Sequence, residues 1–253
     1  MKGSSYQTDF SAIAPRVLDE AQRVEKTLKM LAVLRDGGVL TPARHGVAVD
    51  VGCSGGFFVK ALAPFFSTVV GIDIDEAALR FAREVCEGAD VRFVLGDSQR
   101  FPLPDASVDL VVCNHVYEHV PDARVLFREI RRILRPGAVC YLGAASRLTP
   151  IEPHYKLPFL SWLPKVLADP YMRLTGRGPR YYENLRSWWG IRKLIREFEW
   201  TDYTLRVVAD PDRYHARDLI PKGGLADRIP KRLWALAYPL LPSYILLLKR
   251  PLA

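Results

Sequence analysis

Apolar residues recur at helical spacing between Pro15 and Arg35, at Val17, Leu18, Ala21, Val24, Leu28, Leu31 and Leu34, and Gly37-Gly38 ends the run. That spacing predicts an N-terminal helix. Beyond it the period alternates. Val47 to Val51, Thr68 to Ile72, Val91 to Leu95, Val108 to Cys113 and Val139 to Ala144 are short, nearly continuous apolar runs that predict five strands. Between them, Phe57 to Phe66, Asp75 to Glu87 and Asp122 to Leu134 carry helical spacing, and Pro136-Gly137 stops the last of these. Strands alternating with helices over short connections predict βαβ units, a parallel sheet and right-handed crossovers. Strands that are apolar throughout fit a sheet covered on both faces.

The pattern changes near Ser146. Residues 147–180 are rich in Pro, aromatic and basic side chains and show little periodicity. Leu185 to Phe198 returns to helical spacing, while Tyr203 to Val208 and Tyr244 to Lys249 read as strands. The expected fold is therefore α/β: a doubly wound, mostly parallel, seven-stranded sheet with helices on both faces and a lid-like insertion after the fifth strand. The expected segments are an N-terminal helical part (1–46), a ligand-binding core (47–146), the insertion (147–184) and a C-terminal completion of the sheet (185–253).

Composition narrows the picture only a little. In 253 residues, 49% are hydrophobic and 25% charged, as in an ordinary globular chain able to bury a large core. Cys53, Cys86, Cys113 and Cys140 form no CxxC pair, so neither a zinc motif nor a disulfide framework is expected, and the thiols are expected to be reduced. No apolar leader is read at the N-terminus, and Pro239, Pro242 and Ser243 interrupt the apolar stretch from Leu233 to Leu248. A cytoplasmic protein, at most peripheral to a membrane, is expected. The net charge of +8 admits acidic small molecules, anionic membrane surfaces or nucleic acid as partners.

The chemistry concentrates at strand ends. Asp50 closes the first strand, Gly52, Gly55 and Gly56 follow, and a helix begins at Phe57. Glycines there let the backbone turn tightly and approach a ligand at a helix N-terminus. Alone they fit an unliganded turn equally well, and the acids decide. Asp73 ends the second strand about 20 residues on, where an acid hydrogen-bonds ribose hydroxyls. A carboxylate at Asp50 repels a pyrophosphate but suits a cationic amino-acid end, which favours S-adenosylmethionine over a dinucleotide. Asp97-Ser98 after the third strand offers an acceptor for an adenine amino group, or simply a turn and helix cap. Asn114 follows the fourth.

These segments, DVGCSGG from Asp50, GIDID from Gly71, LGDSQRFPLPDASVDLVVCNHVYEHVPD from Leu95 and EIRRILRPGA from Glu129, resemble the class I seven-stranded S-adenosylmethionine-dependent methyltransferases that act on lipids, quinones and sugars. The resemblance covers roughly Val47 to Ala145. It implies that Asp50, Gly52, Cys53 and Gly56 flank the methionine moiety, that Asp73 binds the ribose and that Ile74 packs on the adenine. Asp97 and Ser98 would then contact the adenine edge, and Asn114 the amino end. Ser54 stands at the family's usual middle glycine.

Methyl transfer from a sulfonium needs alignment and, for a hydroxyl acceptor, a base. His154, in the insertion between Pro153 and Pro158, and His115, after the fourth strand, are the candidates, with Tyr155 and Tyr117 beside them. His119 reads as structural. No metal is expected. The aromatics Tyr155, Phe159, Trp162, Tyr171, Tyr181, Tyr182, Trp188 and Trp189 either wall an acceptor pocket or form the insertion's own core. The basic residues among them face solvent, an anionic acceptor or a membrane. A small-molecule or lipid-like acceptor methylated at oxygen is the leading expectation. RNA is disfavoured, because Asn114-His115-Val116-Tyr117 is not the Asn/Asp-Pro-Pro-aromatic clamp used on base amines.

Overall fold

The structure, a computed structural model, describes residues 18–43, 45–224 and 226–252. The elements are α1 (Glu20–Asp36), β1 (Val47–Val51), α2 (Phe57–Leu62), β2 (Thr68–Asp73), α3 (Glu76–Val85), β3 (Val91–Leu95), β4 (Val108–Asn114), α4 (Ala123–Ile133) and β5 (Leu134–Ala145). After them come α5 (Lys165–Leu174), α6 (Trp188–Leu194), β6 (Glu199–Asp202), α7 (Thr204–Ala209), α8 (Lys231–Leu236) and β7 (Ser243–Lys249). The seven strands form one sheet in the order β3-β2-β1-β4-β5-β7-β6. Pairing is parallel from β3 through β5, and β7 runs antiparallel to both β5 and β6.

Alternate strand residues feed two cores. Val49, Val51, Val111, Cys113, Leu142 and Leu246 face α4 and α6, while Ala48, Val69, Leu110, Val112, Tyr141 and Leu247 face α1, α2 and α3. Both faces are thus covered, which is why the strands read as unbroken apolar runs. The amphipathic α4 buries Leu126, Phe127, Ile130 and Ile133 on one side. Burying each is worth roughly 1.5–3 kcal/mol, so Ile130→Ala would remove a large part of that packing. Asp122 caps this helix by accepting from the Arg124 N–H. The switch point of strand order lies between β1 and β4, and the ends of these strands open onto the site.

Several expectations shift. Residues 15–17 of the N-terminal helix lie outside the described residues. Its buried face is Met30, Leu31, Val33 and Leu34, whereas Val24 and Leu28 are exposed. Tyr203 to Val208 is helical, and the strand is the preceding Glu199–Asp202. Tyr203, Thr204 and Val207 are the buried positions, an i, i+1, i+4 set that only a helix presents on one side. The insertion also holds a helix that its Pro170 had concealed: Ala168 and Met172 of α5 pack with Leu157, Leu160 and Tyr181 in a small separate core.

Candidate active site

A cavity of about 550 Å³ opens at the ends of β1, β2, β4 and β5, a size ordinary for small-molecule sites. Its floor is the turn after β1. Gly52 and Gly56 adopt left-handed backbone there, with φ of 68° and 75°. A Cβ on Gly52 would stand 2.7 Å from Val116, and one on Gly56 2.9 Å from Ala82, so the loop lies where only glycine fits. Ser54, between them, holds φ at 46° without that freedom, and its buried Oγ has no hydrogen-bond partner.

The acids hold this loop. Asp73, at the tip of β2, accepts from the Ser54 N–H at 2.7 Å and from the Asp75 N–H at 2.9 Å. Burial raises its pKa and these two donors oppose the rise. Asp75 caps α3 instead, accepting from the N–H groups of Ala77 and Ala78. Asp50 is buried beneath the loop. Burial, then the neighbouring Asp73, pushes its carboxyl well up, while Arg23 pulls the other way.

Side chains make the far wall. His115 follows β4 with φ of 57°, its N–H bonded to Gly143 O at 2.8 Å. Its Nδ1 lies 3.2 Å from Oε1 of Glu118, which is fully buried. Facing it, Nδ1 of His154 lies 2.8 Å from Oε1 of Glu152, also fully buried. The Glu152 carboxylate accepts from the N–H groups of His154 and Tyr155 as well. Burial alone would lower His154, but its bond to Glu152 wins and raises it. His119 meets the His154 ring edge-on at 5.0 Å, and burial pushes its pKa down to about 4. His115, His119 and His154 all line the cavity.

A methyltransferase domain family matches residues 49–142. An uncharacterized methyltransferase of Mycobacterium sp. strain JLS is 30% identical over 196 residues, spanning 76% of this chain and 75% of the relative. The chain belongs to the S-adenosylmethionine-dependent methyltransferases. A ubiquinone biosynthesis O-methyltransferase of Pseudomonas paraeruginosa strain PA7 is 34% identical over 146 residues, covering 54% of this chain and 61% of the relative. The first curated relatives are covered unevenly, over 38%, 75% and 61% of their lengths. Among solved structures, the methyltransferase in complex with the Haloferax volcanii Trm112 methyltransferase activator superposes with a TM-score of 0.62 at 18% identity. That alignment covers 97% of this chain and 98% of the other, and it shows a shared fold.

This methyltransferase gathers Gly52, Asp73, Ile74, Ser98, Asn114, His115 and His154 around one cavity. Asp50 and Cys53 sit in a small recess adjoining it through Gly52, Ser54 and Asn114. Other expected residues lie elsewhere. Gly56 packs against α3 and Phe93. Asp97 is exposed and accepts from the Gln99 N–H, as a turn residue does. Tyr155 packs on Tyr181 in the insertion's core, and burial with the neighbouring Glu183 keeps its phenol protonated. Tyr117 is buried, its hydroxyl bridging Ala145 O and the Arg186 N–H. None of the eight aromatics weighed as a pocket wall lines the cavity.

Sequence reasoning missed Arg23, Lys26 and Lys29, which turn one side of α1 toward the cavity, and Asp218, which pairs with Lys29 at 2.7 Å. The signal was the basic i, i+3, i+6 spacing within an otherwise apolar helix. Glu118 and Glu152 were missed as well. Each is a glutamate two or three residues from a candidate histidine. No helix among the described residues is long and apolar enough to cross a membrane.

Proposed function

We propose that this protein transfers a methyl group from S-adenosylmethionine to an oxygen of a small acidic or lipid-like acceptor. The observation that carries the reading is one cavity with two unlike ends joined at the tip of β4, where Asn114 belongs to the loop end and His115 to the histidine end. The loop end fits the cofactor. Its glycine turn leaves room that a side chain would fill, Asp73 retains carboxylate lone pairs beyond its two backbone donors, and the buried Asp50 lacks a full counter-charge. Asp73 would hold the ribose hydroxyls, Ile74 and Ser98 the adenine, and Asp50 with Asn114 the methionine ammonium. When bound, S-adenosylmethionine supplies a methyl group already activated on a cationic sulfur.

His115 is the base in this reading, ahead of His154. The backbone bond to Gly143 fixes it at the strand end, and Glu118 takes its Nδ1, leaving Nε2 to receive the acceptor's proton. His154 sits on the insertion and not on a strand end, and its bond to Glu152 raises its pKa against the lowering by burial.

Lys26 and Lys156 line the same cavity, a cationic rim suited to an acceptor carrying an acidic group. The ubiquinone-pathway relative supports oxygen as the acceptor atom. Exposed Val166, Leu167 and Leu174 on α5, with exposed Arg173, Arg177 and Arg180, suit delivery of a lipid-like acceptor from an anionic membrane. The test is incubation with isotopically labelled S-adenosylmethionine and paired phenolic acceptors, with and without a carboxylate, read by mass spectrometry. Labelled ether formation favouring the acidic member of each pair is expected. Label on nitrogen or carbon acceptors alone would overturn the assignment.

A further inference from the structure

Three glutamates gather behind the far wall of the cavity. Glu118, Glu152 and Glu183 are each no more than 2% exposed, and they converge where the segment after β4 meets the two ends of the insertion. Facing them are His115, His119 and His154, and Lys165, whose ammonium is held by the carbonyls of Tyr181 and Glu183. One oxygen of Glu118, Oε2, is buried without a hydrogen-bond partner. A buried carboxylate oxygen left in that state is destabilised unless something pairs with it.

Ligand atoms of Glu118, His119 and His154 lie within 4.8 Å of one another. We infer that these three residues form a binding site for a divalent transition cation of the zinc kind at the acceptor end of the cavity. Two imidazoles and one carboxylate are the donor set of open, three-ligand catalytic zinc sites. Bonds of about 2.0–2.2 Å to each donor need only a modest closure of the three side chains. The tautomers suit such a site. Nδ1 of His154 faces Glu152, which leaves Nε2 to bind the ion and supplies the carboxylate partner that metal-bound histidines use. Glu118 would bind through Oε2 while Oε1 keeps His115 in place.

Ion binding at these side chains stands apart from the proposed function. Its consequence for the reaction rests on that reading: an acceptor hydroxyl in the open position would release its proton more easily, and His115 would take it.

The test is a titration of the full chain, stripped with chelator, with zinc by calorimetry and with cobalt(II) by visible absorption. S-adenosylhomocysteine binding is measured on the same samples to report folding and the cofactor end separately. One equivalent of cation with a nitrogen–oxygen cobalt spectrum, free of thiolate charge transfer, is expected. His119→Ala and His154→Ala should each weaken zinc by 100-fold or more, and Glu152→Gln by roughly 10–100-fold. His215→Ala, remote from the cluster, should change nothing. Absence of stoichiometric binding to the unaltered chain overturns the site. Binding that survives both histidine replacements in variants that still bind S-adenosylhomocysteine overturns it equally. If those variants fail to fold, Glu152→Gln and the cobalt spectrum of the unaltered chain decide.

Discussion

The two ends of the cavity are built by different means. At the loop end the backbone does most of the shaping: left-handed Gly52 and Gly56, two N–H groups fixed on Asp73, and an acid at each of two neighbouring strand tips. At the histidine end, side chains from positions up to 65 residues apart, Glu118 to Glu183, are assembled by packing the insertion against the segment after β4. The insertion's returning segment is tacked there by the Asn184 N–H on Glu118 O at 2.7 Å. A site made from local backbone can be shared across a family. One made from distant side chains is free to differ with each insertion, and so with each acceptor.

If that contrast is right, damage at one end should leave the other intact. The largest expected effect is at His115. His115→Ala should slow single-turnover methylation by roughly 10²-fold or more while S-adenosylhomocysteine affinity stays unchanged. A near-normal rate would move the base elsewhere and leave alignment as the whole of the catalysis.

Asp73→Ala attacks the opposite end. It should weaken S-adenosylhomocysteine by about 1–3 kcal/mol in calorimetry, with the methylation rate at saturating cofactor largely kept. Asp50 sharpens the same end through pH. Because its folded pKa is raised, the apo protein gains stability from it at low pH and loses that gain as pH rises through the raised pKa. In the proposed role Asp50 meets the cofactor's ammonium as a carboxylate, so affinity should fall on acidification above the usual carboxylate range. Asp50→Asn should flatten that profile, measured by calorimetry across pH.

The loop end was the legible one. Apolar runs closing on Asp50, Asp73 and Asn114 announced the sheet and the residues at these strand ends, since period and turn chemistry are local properties. The N–H groups that would seat Asp73, and the strain at Ser54, needed coordinates. At the other end the sequence named His115 and His154 but neither their glutamates nor the approach of His119, because no local pattern reports a contact between residue 118 and residue 154. Two mistakes were local ones. Tyr203 to Val208 alternates enough to mimic a strand, and Pro170 disguised a helix whose buried face is only Ala168 and Met172.

Smaller effects refine the boundary between the ends. Lys156→Ala should raise the KM for an acidic acceptor several-fold, and the difference should shrink with added salt, as expected for an exposed charge. Ser54→Gly should stabilise the protein by up to about 1 kcal/mol, relieving left-handed backbone and removing an unpaired hydroxyl, against the greater chain entropy of glycine. Thermal denaturation without ligand reads that change directly.

The division between the two ends is tested most directly by titrating S-adenosylhomocysteine into the unaltered chain, His115→Ala and Asp73→Ala under one set of conditions. One-to-one binding that is equal in the first two and about 10–100-fold weaker in the third is the expected result. Equal weakening in both variants, or no binding to the unaltered chain, would contradict the account.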